Sequence, residues 1–504
     1  MKGQAAILAT GALILAAACQ EENLLKQDPN STTLENFFGL ESQFNEALFA
    51  GYSVMQGQHL GSRTYYFLND LRGGEVQTTG AAIGSLPRLS NGSSLPSDGE
   101  LSQYWRALYE VVHHANTTLG GVERNTTLSD STLRQIEGEA RFLRGWAYNE
   151  LATHYGGVPL YAAVVGGYSD TQPRSSESES LDFAQDDLQF ASETLPVAWS
   201  EGLRGRATRG AALAILARSH MQQDDLAAAE EALDALFEID RYALVDNYGD
   251  LFTEENSFLS ESIFEIVFAE FGGFDWSQNG QNPASRTVRA QEYGPAWFNV
   301  QPTPPLIDAF RNEDCGDSYT DARLAENLIF SGAPIGRGNN TGVFRPRGGY
   351  SLDYCGNEGV RPGVYKYGVY YKEAPGGFRL SLHNLIIARL ADMYLLKAEI
   401  AARSGNDEVA RDFINRVRTR VGNPPVGETE FADDLVRAVQ HERTVELAFE
   451  QIRFRDIKRW RDAGILPPEY EFDYFQPADR VLPIPEQEIN ANPQLTEADQ
   501  NDGY

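Results

Sequence analysis

Three glutamates, Glu442, Glu446 and Glu450, recur every four residues, the spacing that aligns carboxylates on one face of a helix. A carboxylate pair flanking a sugar can hydrolyse a glycosidic bond, one member acting as acid and the other as base or nucleophile. The same stretch carries Arg443, Arg453, Arg455, Asp456, Lys458 and Arg459. Read as one continuous helix, it surrounds each acid with opposite charge, so the expectation is an ion-pair network fixing that helix. His113 and His114 are adjacent and on a helix point about 100° apart, which prevents joint chelation of one metal. The sequence contains no HExxH, GxSxG or P-loop motif, the arrangements that supply a metal base, a nucleophile elbow or a phosphate cradle. No catalytic residue, metal or cofactor is expected, and the chain is read as a binding protein and not an enzyme.

Aromatic side chains are the better lead. Sugars present CH-rich faces that stack on Trp and Tyr, while amides and charged groups bond the hydroxyls. Trp276, Tyr293 and Trp297 occur in Gly- and Pro-rich sequence, and Tyr65, Tyr66, Asp70 and Arg72 form a second group. These seven are the candidate ligand-binding residues. Trp105 and Trp146 fall in helical runs and are assigned to packing.

The elements that must position them are mainly helical. Ala140, Leu143, Ala147, Leu151 and Tyr155 line one face and stop at Gly156-Gly157, a glycine terminus. An Ala-rich helix over Arg209 to Gln222 is followed, after Gln223-Asp224-Asp225, by a stripe of Leu226, Ala229, Leu233 and Leu236. A second hairpin places Ile386, Leu390, Met393, Lys397 and Ala401 on one face, turns at Gly405, and returns through Ala410, Phe413, Ile414, Val417 and Val421 to Gly422. Each unit approaches the period of about 34 residues of tetratricopeptide repeats, in which stacked helix pairs bury a continuous core. Between these blocks, Gly272 to Pro375 is rich in Gly, Pro, Asn and aromatics, and Gly61 to Ser97 has the same character. Loop-like insertions of that length are usually functional.

The 504 residues carry a formal charge of −30, which repels nucleic acid and leaves neutral sugars, peptides or another protein as partners. The first 18 residues read as a signal peptide: Lys2, an uncharged apolar stretch from Ala5, and small residues before Cys19. The stretch is shorter than the roughly 20 residues a membrane span needs. It resembles a bacterial lipobox, which makes Cys19 the lipidation site and lipid the only membrane attachment. Cys315 and Cys355 then remain outside the cytoplasm, where an even pair favours a disulfide over two free thiols or a metal site. Closing that loop would add roughly 4 kcal/mol on the loop-entropy model.

Several segments together resemble the SusD/RagB family. Glu139 to Tyr148 running into Tyr155-Gly-Gly-Val-Pro-Leu160 is similar to its "FGDVPL" turn, with Gly157 replacing the common Asp. Arg389 to Glu399 followed by Ile414 to Gly422 resembles its hairpin, and Glu442-Arg-Thr-Val-Glu-Leu-Ala-Phe-Glu450 with Arg453, Asp456 and Arg459-Trp460 resembles its most specific signature, with Gln451 where Gly is frequent. The tail, Leu482-Pro-Ile-Pro485 to Leu495 and Gly503-Tyr504, follows the family ending. The resemblance implies a mostly α fold, a tetratricopeptide-like superhelix with long aromatic-rich loop insertions and minor β. It divides the chain into signal peptide 1–18, lipidated tether 19–37, helical region 38–265 and C-terminal region 266–504 with its insertion at 272–375. It also implies an outer-membrane lipoprotein facing the cell exterior, the lid and capture subunit of a TonB-dependent SusC-type barrel, taking up oligosaccharide. The alternatives are peptide capture, as in RagB-like members, and a helical-repeat scaffold without a small ligand.

Overall fold

The computed structural model describes residues 37–504 apart from 81, 83, 270–285, 295–296, 311–320, 330–333, 336–341, 344–361, 370–380, 430 and 467–476. Trp276, Cys315, Cys355, Cys19 and the leader lie outside the described residues. The fold is mostly α. Its main elements are α1 (Glu41–Gln56), α2 (Thr64–Arg72), β1 (Val76–Thr78), α3 (Leu86–Ser90), α4 (Gly99–Arg124), α5 (Asp130–Tyr155), α6 (Glu177–Thr194), α7 (Arg209–Gln222), α8 (Leu226–Phe237), β2 (Ser262–Ile266), α9 (Arg289–Tyr293), β3 (Val300–Pro302), β4 (Leu385–Arg389), α10 (Leu390–Arg403), α11 (Asp407–Arg420), α12 (Leu435–Glu446), α13 (Arg453–Asp462) and α14 (Glu486–Ala491), with shorter helices and strands between β3 and β4.

The helix boundaries follow local chemistry. Ser129 accepts from Thr132 N at the start of α5, Thr208 from Ala211 N at α7, Asp225 from Ala228 N at α8, Asn406 from Val409 N at α11 and Asp434 from Arg437 N at α12. Each cap satisfies an amide that the helix cannot, a contribution of about 1 kcal/mol. Gly156 closes α5 at φ 74°, in the left-handed region a side chain rarely adopts. Gly157 has a different constraint: any Cβ there would lie 1.9 Å from the Ser175 carbonyl oxygen, so the aspartate common in the family cannot be accommodated.

Neighbouring helices pack as hairpins, α4 on α5, α5 on α6, α7 on α8 and α10 on α11, with α7 also against α6 and α1 against α4. The predicted α5 face, Ala140, Leu143, Ala147, Leu151 and Tyr155, is wholly buried, as are Ala211, Ala212, Ala214 and Ala217 of α7. Small side chains on α7 let its partners approach on more than one side. Trp105 and Trp146 are at most 1% exposed, as the packing assignment requires. One hydrophobic core runs from Phe38 through α7 to Ile484.

Two expectations are corrected. Ile386 is not helical: Leu385-Ile-Ile-Ala388 belongs to β4, which pairs antiparallel with β2 (Phe264 opposite Ala388, Ile266 opposite Leu385). A short, fully buried apolar run carries no period that separates strand from helix. Nor do Glu442, Glu446 and Glu450 share one continuous helix with Arg453 to Arg459. α12 ends at Glu446, and the chain turns through Phe449 (φ 60°) and Gln451 (φ 63°) before α13 begins.

Candidate functional site

The glutamates of the signature are fully engaged. Arg323 reaches Glu442 and Glu446 at 2.7 Å each and Asp321 at 2.6 Å. Arg389 reaches Glu261, Glu446 and Glu450 at 2.6 Å each, Arg418 reaches Glu442 at 2.8 Å, and Lys366 reaches Glu450 at 2.5 Å. Burial alone would raise the Glu446 carboxyl, yet Arg420, Arg389 and Arg323 hold it well below the usual range. A catalytic pair needs one carboxyl free to give up a proton; these are saturated with cations inside the core. The network continues through Arg443 to Asp456 at 2.7 Å, Arg455 to Glu150 at 2.7 Å and Arg218 to Asp392 at 2.6 Å, joining α13, α5 and α7.

The candidate aromatics divide by burial. Tyr65, Tyr66, Asp70 and Arg72 all lie on α2 and are at most 5% exposed, so they offer no face to a ligand. Arg72 stacks 3.7 Å over Phe454 and donates to His154 Nδ1 at 3.0 Å and to the Asp479 carbonyl at 3.0 Å. Tyr65 approaches Arg455. Asp70 accepts from Tyr293 Oη at 2.8 Å and from Gln451 Nε2 at 3.2 Å. Tyr293, 2% exposed, packs edge to face on Tyr66 at 5.3 Å and stacks on Phe67 at 5.6 Å. The reason is topological: α2 and α9 are enclosed by α13 and the turn after α12, so their aromatics point into a polar-and-aromatic interior. Burial raises the carboxyls of Asp70 and Glu75, the latter further through Asp70's charge.

Trp297 is different. It is half-buried, as is Phe298. The structure brings together the two segments singled out for loop-like composition, because β1 and β3 form an antiparallel ribbon with Val76 opposite Pro302 and Thr78 opposite Val300. Beyond the ribbon, Thr79 N donates to the Asn299 carbonyl at 2.9 Å, and the Thr79 hydroxyl donates to the Phe298 carbonyl. Trp297 N donates to the Gln291 carbonyl at 3.1 Å and Asn299 N to the Glu292 carbonyl at 2.8 Å. Glu292 is itself paired with Arg63 at 2.7 Å. Phe298 sits at φ 55°, an unfavourable conformation for an aromatic residue that persists only when the surroundings over-determine it. The outcome is a corner braced by hydrogen bonds that carries the half-buried Trp297. Trp297 is one of the seven sequence candidates; Thr79, Phe298 and Asn299 are not among them, because their place at this corner depends on pairing across more than two hundred residues.

A second aromatic group had no signal in the sequence. Tyr109 of α4 and Tyr161 meet edge to face at 5.8 Å, with Trp105 5.2 Å from Tyr109. They line a cavity of about 250 Å³ with Glu488 of α14. Among the described residues no cluster of three or more His, Cys, Asp or Glu could hold a metal ion, and no helix is long and apolar enough to cross a membrane.

Comparisons with known proteins agree with this architecture. The SusD family model matches residues 260–504, and a second model, described as starch-binding associating with outer membrane, matches residues 72–221. SusD-like protein P25 of Formosa agariphila is 27% identical with full coverage of both chains, and a SusD-like protein of Bacteroides ovatus is 24% identical over 91% of this chain and 83% of its own. Among solved structures, a laminarin-binding SusD-like protein superposes with a TM-score of 0.74 at 24% identity, covering 92% of this chain and all of that one. Surface glycan-binding protein A from Bacteroides fluxus superposes at 0.75 and 20% identity, covering 92% of this chain and all of that one. With the signature glutamates in their ion-pair core, the helical hairpins in order and both halves matched, the chain belongs to the SusD/RagB family.

Proposed function

We propose that this protein is a glycan-capturing surface lipoprotein, anchored in the outer membrane through lipid on Cys19 and acting as lid and capture subunit for a TonB-dependent SusC-type barrel. The observation that carries the reading is the half-buried Trp297, held at the hydrogen-bonded corner beyond the β1–β3 ribbon. A fixed aromatic face binds a sugar's CH surface with little loss of side-chain freedom. Relatives whose names state laminarin or surface-glycan binding support the ligand class, and the family description supports the membrane. The acidic surface suits neutral sugars, and the saturated carboxylates support capture without hydrolysis.

The test is affinity electrophoresis and calorimetry of the mature chain against neutral polysaccharides and, in parallel, peptides. Trp297→Ala is expected to weaken glycan binding by roughly tenfold or more, about 1.4 kcal/mol, with thermal stability almost unchanged. Binding of peptides alone, or glycan binding indifferent to Trp297, overturns the reading. Co-purification with a SusC-type barrel from the native membrane, dependent on neither glycan nor Trp297, tests the partnership.

A further inference from the structure

We propose that the cavity between α4, the 159–165 segment and α14 is a second sugar-binding site, taking one sugar residue or a chain end of the same neutral glycan. The proposal rests on the capture reading and deepens it.

The walls are fixed before any ligand arrives. Tyr109 Oη donates to the Pro159 carbonyl at 2.7 Å, and Tyr161 N donates to Tyr148 Oη at 2.6 Å. Both Tyr109 and Tyr161 are half-buried and line the cavity, the first held through its hydroxyl and the second through its backbone. Val165, 41% exposed, adds apolar surface at the mouth. Of the polar lining, the Asn116 and Asn492 amides donate to backbone carbonyls, which leaves Arg106, His113 and Glu488. Burial raises the Glu488 carboxyl above the usual value, and the Trp105 indole beside it opposes the rise. The carboxyl's lone pairs suit hydroxyl donors, and exposed Arg106, also on the lining, supplies donors of opposite charge. Aromatic faces with one carboxylate, one guanidinium and the His113 imidazole make an amphipathic site of mixed charge. That combination suits a neutral sugar better than an anion, which would meet Glu488 directly. The volume, about 250 Å³, falls just below the roughly 300–1,000 Å³ of sites for larger ligands, which limits the occupant to a small unit.

Glu486 N, two residues before Glu488, donates to the Pro96 carbonyl at 3.0 Å, in the turn that follows β1 and α3. A long chain engaged both at the cavity and at Trp297 gains avidity through effective concentration, whereas a short oligosaccharide gains none.

The experiment compares the full mature chain with Tyr161→Ala, Glu488→Gln, Trp297→Ala and the Trp297→Ala/Glu488→Gln double variant. Calorimetry uses a long polysaccharide that the wild type binds and a short oligosaccharide of the same sugar. Glu488→Gln preserves shape, which guards against a folding defect in Tyr161→Ala. Expected are a fall of about tenfold for the long chain in both cavity variants, little change for the short one, and weak residual binding in Trp297→Ala that the double variant abolishes. Wild-type affinity for the long chain in both cavity variants, with Trp297→Ala silent, overturns this site while leaving the capture function intact. Altered binding of peptides alone also overturns it, and failure of the wild type to bind any glycan removes both readings together.

Discussion

Gln451 shows how one residue reconciles a strained backbone with a buried charge. Its φ of 63° places it in the left-handed region, which explains why glycine is frequent there in the family. The side chain offsets that strain by donating to the Asp70 carboxylate at 3.2 Å and to the Phe449 carbonyl at 2.9 Å. Gln451→Ala retains the strain and removes both bonds, a predicted loss of about 1–3 kcal/mol. Gln451→Gly removes the bonds and the strain together, so it should be about 1 kcal/mol more stable than the alanine variant. Urea unfolding of the two variants reads the difference, and equal midpoints would mean the left-handed conformation costs nothing here. At the same scale, burial pushes the His154 imidazole down to about 3, with the Glu150 carboxylate opposing and the Arg455 and Arg72 guanidinium groups assisting. The folded value lies below the unfolded one near 6.5, so its contribution is complete above pH 6.5 and is lost as pH falls toward 3. Lowering the pH from 7 to 5 should cost about 2 kcal/mol at this site. His154→Gln should lose less over that interval, though not nothing, because burial also lowers His114 and His220. A wild-type midpoint constant from pH 7 to 5 would refute the assignment.

At the scale of elements, the ion-pair core decides which helices belong together. Arg323 has no exposed surface and holds three carboxylates on two segments. Arg323→Met leaves Glu442 and Glu446 buried with less compensation, a predicted loss of roughly 3–5 kcal/mol. Adding Glu442→Gln should restore part of it in a double-mutant cycle, and strict additivity would argue against coupling. This scale also separates what the sequence reveals from what it hides. The α5 face and the α7–α8 hairpin were legible because Ala and Leu recur at 3.6-residue spacing, a property of the helix alone. The partner of Glu442 was not, since Arg323 lies more than a hundred positions away in loop-like sequence. Likewise Tyr293 and Trp297 have the same local composition. Only the packing of α9 beneath the β1–β3 ribbon turns Tyr293 inward, where it bonds Asp70, and leaves Trp297 at the surface corner. The cavity beside Tyr161 depends on Glu488, more than three hundred residues later.

Across the whole molecule, the carboxyl-terminal segment closes the structure back onto its amino-terminal half. Leu482 N donates to the His154 carbonyl at 2.7 Å, and Asn501 Nδ2 donates to the carbonyls of Tyr155 and Leu482 at 2.9 and 2.6 Å. Such long-range ties work against the self-repulsion of a chain with a formal charge of −30. The two kinds of electrostatics respond differently to salt. Ions screen solvent-exposed charges over a Debye length of about 8–10 Å near physiological strength, but they reach buried pairs poorly. The pairs of Arg323, Arg389, Arg418 and Arg443 have side chains at most 6% exposed. Salt should therefore relieve the surface repulsion while leaving the core network intact. Thermal unfolding is predicted to shift to higher temperature as NaCl rises from about 10 mM to about 150 mM. A fall over that range would mean that exposed attractive pairs, and not the buried network, dominate the stability of the fold.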